Sequence, residues 1–132
     1  MITADSSVWI DYLGGRNTAA ATQLDVVLDD SSHDLVLLDV VLMEVLRGFR
    51  FDHEWRTARN AFAALPVLTA GGQAVATKAA SMYRSLRGDG VTVRSSIDLL
   101  IGAWCIENDC SLIHSDCNFD AMPRHGLQLW SH

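Results

Sequence analysis

The chain has 132 residues, of which 49% are hydrophobic and 20% charged. This length suits one domain spanning residues 1–132, and the composition supports a buried core and excludes a disordered protein. Sixteen acidic residues against ten basic ones give a formal net charge of −6, which argues against binding of nucleic acid through the overall field of the protein. Any contact with nucleic acid must therefore be local.

Short β-rich runs alternate with longer segments of helical periodicity, which is the pattern of an α/β domain. In chain order the predicted elements are a strand at Met1–Ala4, helices at Ser7–Leu13 and Ala19–Leu28, a strand at Leu35–Leu38, helices at Val40–Arg47 and Glu54–Leu65, a strand at Pro66–Thr69, helices at Ala74–Arg87 and Ile97–Asn108, a strand at Ser111–His114 and a weaker one at Leu127–Trp130. Because such helices cover the faces of a parallel sheet, the pattern predicts a central, mostly parallel sheet of about five strands.

Four acidic residues stand in apolar segments, where a charge contributes nothing to packing: Asp5, Glu44, Asp98 and Asp116. Asp5 and Asp116 each follow a predicted strand, Asp98 opens an apolar helix, and Glu44 lies one turn into another helix. Ligands of open α/β sheets bind at the carboxyl ends of the strands, so we expect the four carboxylates at one edge. Unpaired carboxylates beside hydrophobic segments need either open solvent or a shared cation. If the fold gathers the four, their hard oxygens suit Mg²⁺, with Mn²⁺ as a substitute.

Three of these acids also have a plain structural interpretation. Asp5 is a favoured N-cap residue, Asp98 resembles the acid of a capping box, and Asp116 suits a turn. Glu44 differs, because the apolar residues around it make full exposure of this helical side chain unfavourable. Asp39 stands immediately before a helical segment and is predicted to be its N-cap.

Other kinds of site find little support in the sequence. The three cysteines form neither an even disulfide set nor a CxxC pair, which fits a reducing cytoplasm. A signal peptide is not recognisable, and the most hydrophobic stretch is too short to cross a bilayer, so we expect a cytoplasmic protein without membrane insertion. The sequence contains neither a GxSxG nucleophile motif nor a phosphate-binding P-loop.

Four segments, in order, resemble the motifs of PIN-domain ribonucleases, specifically VapC-like toxins of bacterial type II toxin–antitoxin modules: "DSSVWIDYL", "LMEVLRGF", "SIDLLIGAWCIEN" and "HSDCNF". The resemblance implies a three-layer α/β/α fold, an acidic Mg²⁺ or Mn²⁺ site and endonucleolytic cleavage of RNA. It matches Asp5, Glu44, Asp98 and Asp116 to the acids of the family, as catalytic and metal-binding residues. It also implies a homodimer and a cognate antitoxin that inserts a segment across the acidic pocket.

The resemblance extends to supporting residues. Ser7 matches a small polar residue that supports the first aspartate. Asn118 stands where many relatives carry an aspartate, which leaves two alternatives: a weakened second metal position, or coordination through the amide carbonyl oxygen. Arg94, four residues before the third acid, is the first candidate for contact with an RNA phosphate, with Arg47 and Arg50 behind it.

The mechanism expected from these residues is hydrolysis of a phosphodiester by metal-activated water, with the metal offsetting the charge that develops on the phosphorane. Two alternatives stay open. The first is a catalytically weak PIN scaffold that acts mainly by binding its antitoxin. The second is another metal-dependent phosphohydrolase, such as a haloacid-dehalogenase-like phosphatase, which would need a second aspartate where this chain has Ser7.

Overall fold

The computed structural model of the protein describes residues 1–131, and His132, the last residue of the predicted domain, lies outside them. Its elements are β1 (Ile2–Ala4), α1 (Ser6–Leu13), α2 (Ala19–Asp29), β2 (Leu37–Leu38), α3 (Asp39–Leu46), α4 (Asp52–Phe62), β3 (Val67–Leu68), α5 (Gln73–Gly88), α6 (Ser96–Glu107), β4 (Ser111–Ile113) and β5 (Gln128–Leu129). Two short 3₁₀ helices, Cys117–Phe119 and Met122–His125, lie between β4 and β5. Every predicted strand and helix is confirmed, with boundaries that differ by a few residues.

The strands form a parallel sheet. β1 pairs with β4, β4 with β5, and β2 with β3, each pair in parallel register. A parallel bridge between Ile2 and Leu35 joins the two parts, with the Val36 N–H donating to the Ile2 carbonyl at 2.9 Å. The strand order is therefore β3-β2-β1-β4-β5. This order places the carboxyl ends of β1 and β4 side by side, where a ligand site is expected.

The helices cover the sheet in two groups. α1 packs on α2 and α3, α3 packs on α4, and α5 packs along α6. Strand β4, next to the central strand β1, contacts α2 from the first group and α6 from the second, so the α/β/α layering is confirmed. Because both faces are covered, the strands in the middle of the sheet are apolar and buried, as in Ala4, Leu37, Leu38, Leu112 and Ile113.

None of the helices within residues 1–131 combines the length and the hydrophobicity that crossing a bilayer requires. The hydrophobic stretch around β2 and α3, which is the most apolar part of the sequence, contributes instead to the core through Leu37, Leu38, Val41 and Val45.

The prediction for Asp39 is wrong. The N-cap of α3 is Leu38, and Asp39 is the first residue of the helix. Its Oδ1 accepts hydrogen bonds from the Val40 N–H at 2.8 Å and from the Ala70 N–H at 3.0 Å. Because Ala70 follows β3, this carboxylate fastens the end of β3 to the start of α3. A local capping preference was overridden by a backbone donor from a distant part of the chain.

Candidate active site

Asp5 lies between β1 and α1, and its side chain caps the helix. Its Oδ1 accepts a hydrogen bond from the Val8 N–H at 3.3 Å, and the Ser7 hydroxyl lies 3.0 and 2.9 Å from the two carboxylate oxygens. Asp5 is nevertheless only 2% exposed. Burial raises the pKa of Asp5 from 3.8 to about 7; the hydrogen bonds from Ser7 and Val8 lower it, and the charges of Asp98 and Asp116 raise it further. The position is thus a helix cap whose charged form is disfavoured.

Asp98 lies in the first turn of α6 and is 9% exposed. The N-cap of this helix is Ser95, whose hydroxyl accepts a hydrogen bond from the Asp98 N–H at 3.2 Å. The Asp98 carboxylate in turn accepts a hydrogen bond from the Asn118 amide nitrogen at 3.1 Å. Burial raises the pKa of Asp98, the bond from Asn118 lowers it, and the neighbouring charges of Asp116 and Glu44 raise it.

Asn118 is held in one orientation by three hydrogen bonds. Its Nδ2 donates to Asp98, its Oδ1 accepts from the Arg94 N–H at 3.4 Å, and its own N–H donates to the Asp116 Oδ1 at 2.9 Å. A backbone N–H only donates, so the amide oxygen faces Arg94 and the amide nitrogen faces the acids. This geometry disfavours the alternative in which the carbonyl oxygen of Asn118 binds a metal.

Asp116 follows β4 and caps the 3₁₀ helix Cys117–Phe119. The residue before it, Ser115, has its hydroxyl 3.0 Å from the Ser7 hydroxyl. This contact ties the segment after β4 to the first turn of α1, so Asp5 and Asp116 stand on adjacent strand ends joined by a pair of serines. Sequence reasoning missed Ser115, because its only mark is its place next to Asp116.

Glu44 reaches the same end of the sheet from α3. The Ser6 hydroxyl donates to Glu44 Oε1 at 2.6 Å, and Arg47 Nη2 lies 3.8 Å from Glu44 Oε2. The Glu44 side chain is 17% exposed, so it is largely withdrawn from solvent, as its apolar neighbours suggested. Ser6 directly follows Asp5, and its bond therefore brings Glu44 to the start of α1. This role of Ser6 also escaped sequence reasoning.

The four acids act on one another electrostatically. Asp98 and Asp116 raise the pKa of Asp5, and Asp116 and Glu44 raise the pKa of Asp98. Two of these acids follow the neighbouring strands β1 and β4, and two come from the helices α3 and α6. Like charges gathered in a partly buried site repel one another, and a cation among them would remove that repulsion.

A fully formed metal cage is absent from residues 1–131, since no three Asp, Glu, His or Cys side chains there converge closely enough to hold an ion by themselves. Each acid is held instead by a hydroxyl, amide or backbone donor of the protein. The donor set still fits a small hard cation. Mg²⁺ keeps several waters and commonly takes one or two carboxylates rather than an all-protein cage.

The arginines predicted to contact RNA occupy three different surroundings. Arg94 is joined to the acids through its backbone, by way of Asn118, and Arg47 lies beside Glu44. Arg50 follows α3, and its guanidinium lies 5.6 Å from the centre of the Phe51 ring. The structure thus places two of the three arginines next to the acids and the third against an aromatic ring.

Comparison with known proteins agrees with this architecture. Residues 2–125 match the PIN domain family. The VapC ribonuclease Mb1587 of Mycobacterium bovis is 31% identical over 124 residues, which cover 94% of this chain and 92% of the relative.

Solved structures share the fold at lower identity. A toxin–antitoxin complex from Klebsiella pneumoniae contains a chain with a TM-score of 0.71 and 18% identity, and the match covers 93% of each chain. A chain of the DNA-bound VapBC from Salmonella typhimurium has a TM-score of 0.77 at 14% identity, covering 98% of each chain. At such identities the likeness establishes the fold alone.

Proposed function

Because this chain belongs to the PIN-domain family, we propose that it is a metal-dependent endoribonuclease and the toxin of a type II toxin–antitoxin module. The observation that carries the proposal is the placement of Asp5, Glu44, Asp98 and Asp116 at one end of the sheet, with Asp5 buried and its pKa raised to about 7. A relative of this chain at 31% identity is a VapC ribonuclease. Phosphodiester hydrolysis is the chemistry that such a carboxylate set supports when it holds a divalent ion.

We assign Asp5, Asp98 and Asp116 as the ligands of one or two Mg²⁺ ions, with Glu44 binding directly or through water. Bound there, Mg²⁺ or Mn²⁺ would lower the pKa of a water and offset the charge of the phosphorane. The protein prepares these ligands by fixing their orientation. Burial also keeps bulk water away from Asp5, which strengthens its interaction with a cation.

The neighbouring donors have distinct tasks in this proposal. Ser7 and Val8 hold the Asp5 carboxylate in place, and Ser6 aims Glu44 toward the start of α1. Asn118 supports Asp98 with a neutral donor, so the site gains a hydrogen bond at the position where a fifth carboxylate would add repulsion.

The proposed inhibitor is a cognate antitoxin that presents a basic segment to the acids. Support comes from the net charge of −6, from the four acids at the same end of the sheet, and from the structural neighbour solved as a toxin–antitoxin complex. Opposite charge accelerates the encounter and favours the correct partner. We also propose that the protein forms a homodimer and acts in the cytoplasm.

The test is cleavage of a structured RNA by purified protein with Mn²⁺. We expect cleavage by the wild type and by Asp29→Asn, a control that removes an exposed carboxylate at the end of α2. Asp5→Asn and Asp98→Asn should each lose roughly 100-fold or more of the cleavage activity, because removing a direct ligand costs more than the roughly 10- to 100-fold lost when a residue that hydrogen-bonds to a ligand is changed. Activity that survives both changes, in preparations free of contaminating nuclease, contradicts the proposal.

The same proteins separate the nuclease from a catalytically weak scaffold. A ligand that binds only the folded state raises the melting temperature, so Mn²⁺ should stabilise the wild type and Asp29→Asn but not Asp5→Asn. An inert scaffold would show no such difference. The phosphatase alternative is disfavoured, because the position of its second acid is occupied by Ser7, which is hydrogen-bonded to Asp5.

A further inference from the structure

A groove of about 750 Å³ lies between α5 and α6. Its floor includes the buried side chains of Val93 and Leu99, and its rim includes Tyr83, Arg84 and Arg94. None of the residues that line it is acidic, although the chain carries sixteen acids and a net charge of −6. The only formal charges in the lining are therefore the positive ones of Arg84 and Arg94. The groove is large enough for a nucleotide-sized ligand, since such sites commonly span roughly 300–1,000 Å³.

The two arginines of the rim are available to an anion. Both are exposed, and among residues 1–131 neither forms an ion pair with an acid, in contrast to Arg16 and Arg47. A guanidinium presents paired N–H donors that match the oxygens of a phosphate. Charge complementarity thus favours a phosphate-bearing ligand over an acidic or purely apolar one.

The groove lies beside the acid site. Leu99 of its floor directly follows Asp98 in the first turn of α6. The Arg94 N–H donates to Asn118, and the Asn118 amide donates to Asp98. These links place Arg94 of the groove next to the acids, so the groove borders the position of a phosphate held at the carboxylates.

Tyr83 supplies a surface for a base. Tyr83 lines the groove and is partly exposed, and its hydroxyl accepts a hydrogen bond from Arg87 Nη1 at 3.4 Å. Bases of single-stranded nucleic acid stack on such aromatic rings regardless of their identity. A base within a duplex is already stacked between its neighbours and cannot reach the ring.

We propose that the α5–α6 groove binds an unpaired nucleotide adjacent to the cleaved phosphate, with the base on Tyr83 and its phosphates on Arg84 and Arg94. This inference rests on the proposed ribonuclease function. It adds that Tyr83, Arg84 and Arg94 of the α5–α6 groove hold the nucleotide next to the cleaved phosphate.

The experiment measures binding of a fluorescent oligouridine of about 12 nucleotides by anisotropy, with a chelator present to prevent cleavage. Arg84→Gln combined with Arg94→Gln should weaken binding roughly tenfold or more at low salt. The slope of log affinity against log salt should fall by about 1.4, which is about 0.7 for each lost phosphate contact. The matched control, Arg56→Gln with Arg59→Gln on α4, removes the same charge and should change neither quantity.

Comparing oligouridine with an oligomer that lacks bases isolates the contact between a base and Tyr83. Tyr83→Leu should weaken oligouridine binding roughly fivefold or more. It should leave unchanged the binding of an oligomer of equal length that lacks bases, which also shows that the variant is folded. Equal weakening of both oligomers, or of neither, overturns the role of Tyr83.

The outcomes separate this inference from the function it rests on. If the wild type binds oligouridine through the groove but does not cleave RNA with Mn²⁺, the nuclease proposal is wrong and the groove remains a nucleic-acid site. If the wild type cleaves RNA but the groove variants bind oligouridine as tightly as the control variant does, the proposed nucleotide site in the groove is wrong. The groove variants could instead differ from the wild type in sedimentation coefficient while binding RNA equally well. That result would make this face an interface between copies of the chain and would overturn the proposed nucleotide site.

Discussion

Replacing Asp5 with asparagine should stabilise the metal-free protein at neutral and alkaline pH. Burial is the main cause that raises the pKa of Asp5 from 3.8 to about 7 in the folded protein. The hydrogen bonds from Ser7 and Val8 act in the opposite direction and lower this pKa. One unit of pKa corresponds to ~1.4 kcal/mol, so ionisation of Asp5 costs the fold up to roughly 4 kcal/mol. Asparagine keeps an acceptor oxygen for Ser7 and Val8 and carries no charge.

The sign of the pH dependence follows from which state holds the proton more tightly. The folded protein has the higher pKa, so the contribution of protonated Asp5 is fully present below about pH 3.8 and is lost as pH rises through about 7. The variant does not share this loss. The free energies of unfolding of wild type and Asp5→Asn should therefore be similar at acid pH and diverge by up to roughly 4 kcal/mol at about pH 8.

The assay is urea unfolding in metal-free buffer from about pH 4.5 to about pH 8.5, with Asp29→Asn as the control. The quantity compared is the difference between variant and wild type at each pH, because the other titrating groups cancel in it. A difference that stays constant with pH refutes the argument that a buried Asp5 charge opposes folding. So does a variant that is less stable than the wild type throughout the range.

Two further changes test the packing around the site and the core. Asn118→Asp places a fifth carboxylate against Asp98, so the free energy of unfolding of the metal-free protein should fall by roughly 1–3 kcal/mol at neutral pH. The stabilisation of the protein by Mn²⁺ should increase. Urea unfolding with and without the ion measures both effects. Gly102→Ala directs a Cβ into the sulfur of the fully buried Met122 and should lower the free energy of unfolding by roughly 1–3 kcal/mol. The control Gly88→Ala has open space around the added Cβ and should not destabilise the protein. Equal effects of the two changes in thermal unfolding would contradict this prediction.

The order and type of the elements could be predicted from the sequence, because they depend on local patterns. Short β-rich runs between polar turns predicted all five strands, and helical spacing predicted all six helices. The apolar helix that carries Asp98 and the strand before Asp5 are the clearest cases, since burial on all sides leaves a continuous hydrophobic run. From the order of these elements it also followed that the acids after β1 and β4 share one end of the sheet.

Which group holds each acid could not be predicted, because the partners are far apart along the chain. Ser6 and Glu44 are 38 residues apart, Asn118 and Asp98 are 20 apart, and the serines at positions 7 and 115 are 108 apart. Side-chain hydrogen bonds of this kind depend on how helices pack on the sheet, and periodicity carries no information about that. The error at Asp39 has the same origin, since its decisive donor is the N–H of Ala70.

By itself the sequence determined an α/β chain with acidic residues at strand and helix ends, because alternation and capping chemistry act between near neighbours. Tertiary structure alone decided that Asp5 would be buried among like charges, that Asn118 would turn its nitrogen toward them, and that two arginines would border one groove. Desolvation, repulsion and groove formation depend on distances through space, which arise only when separate elements pack against one another.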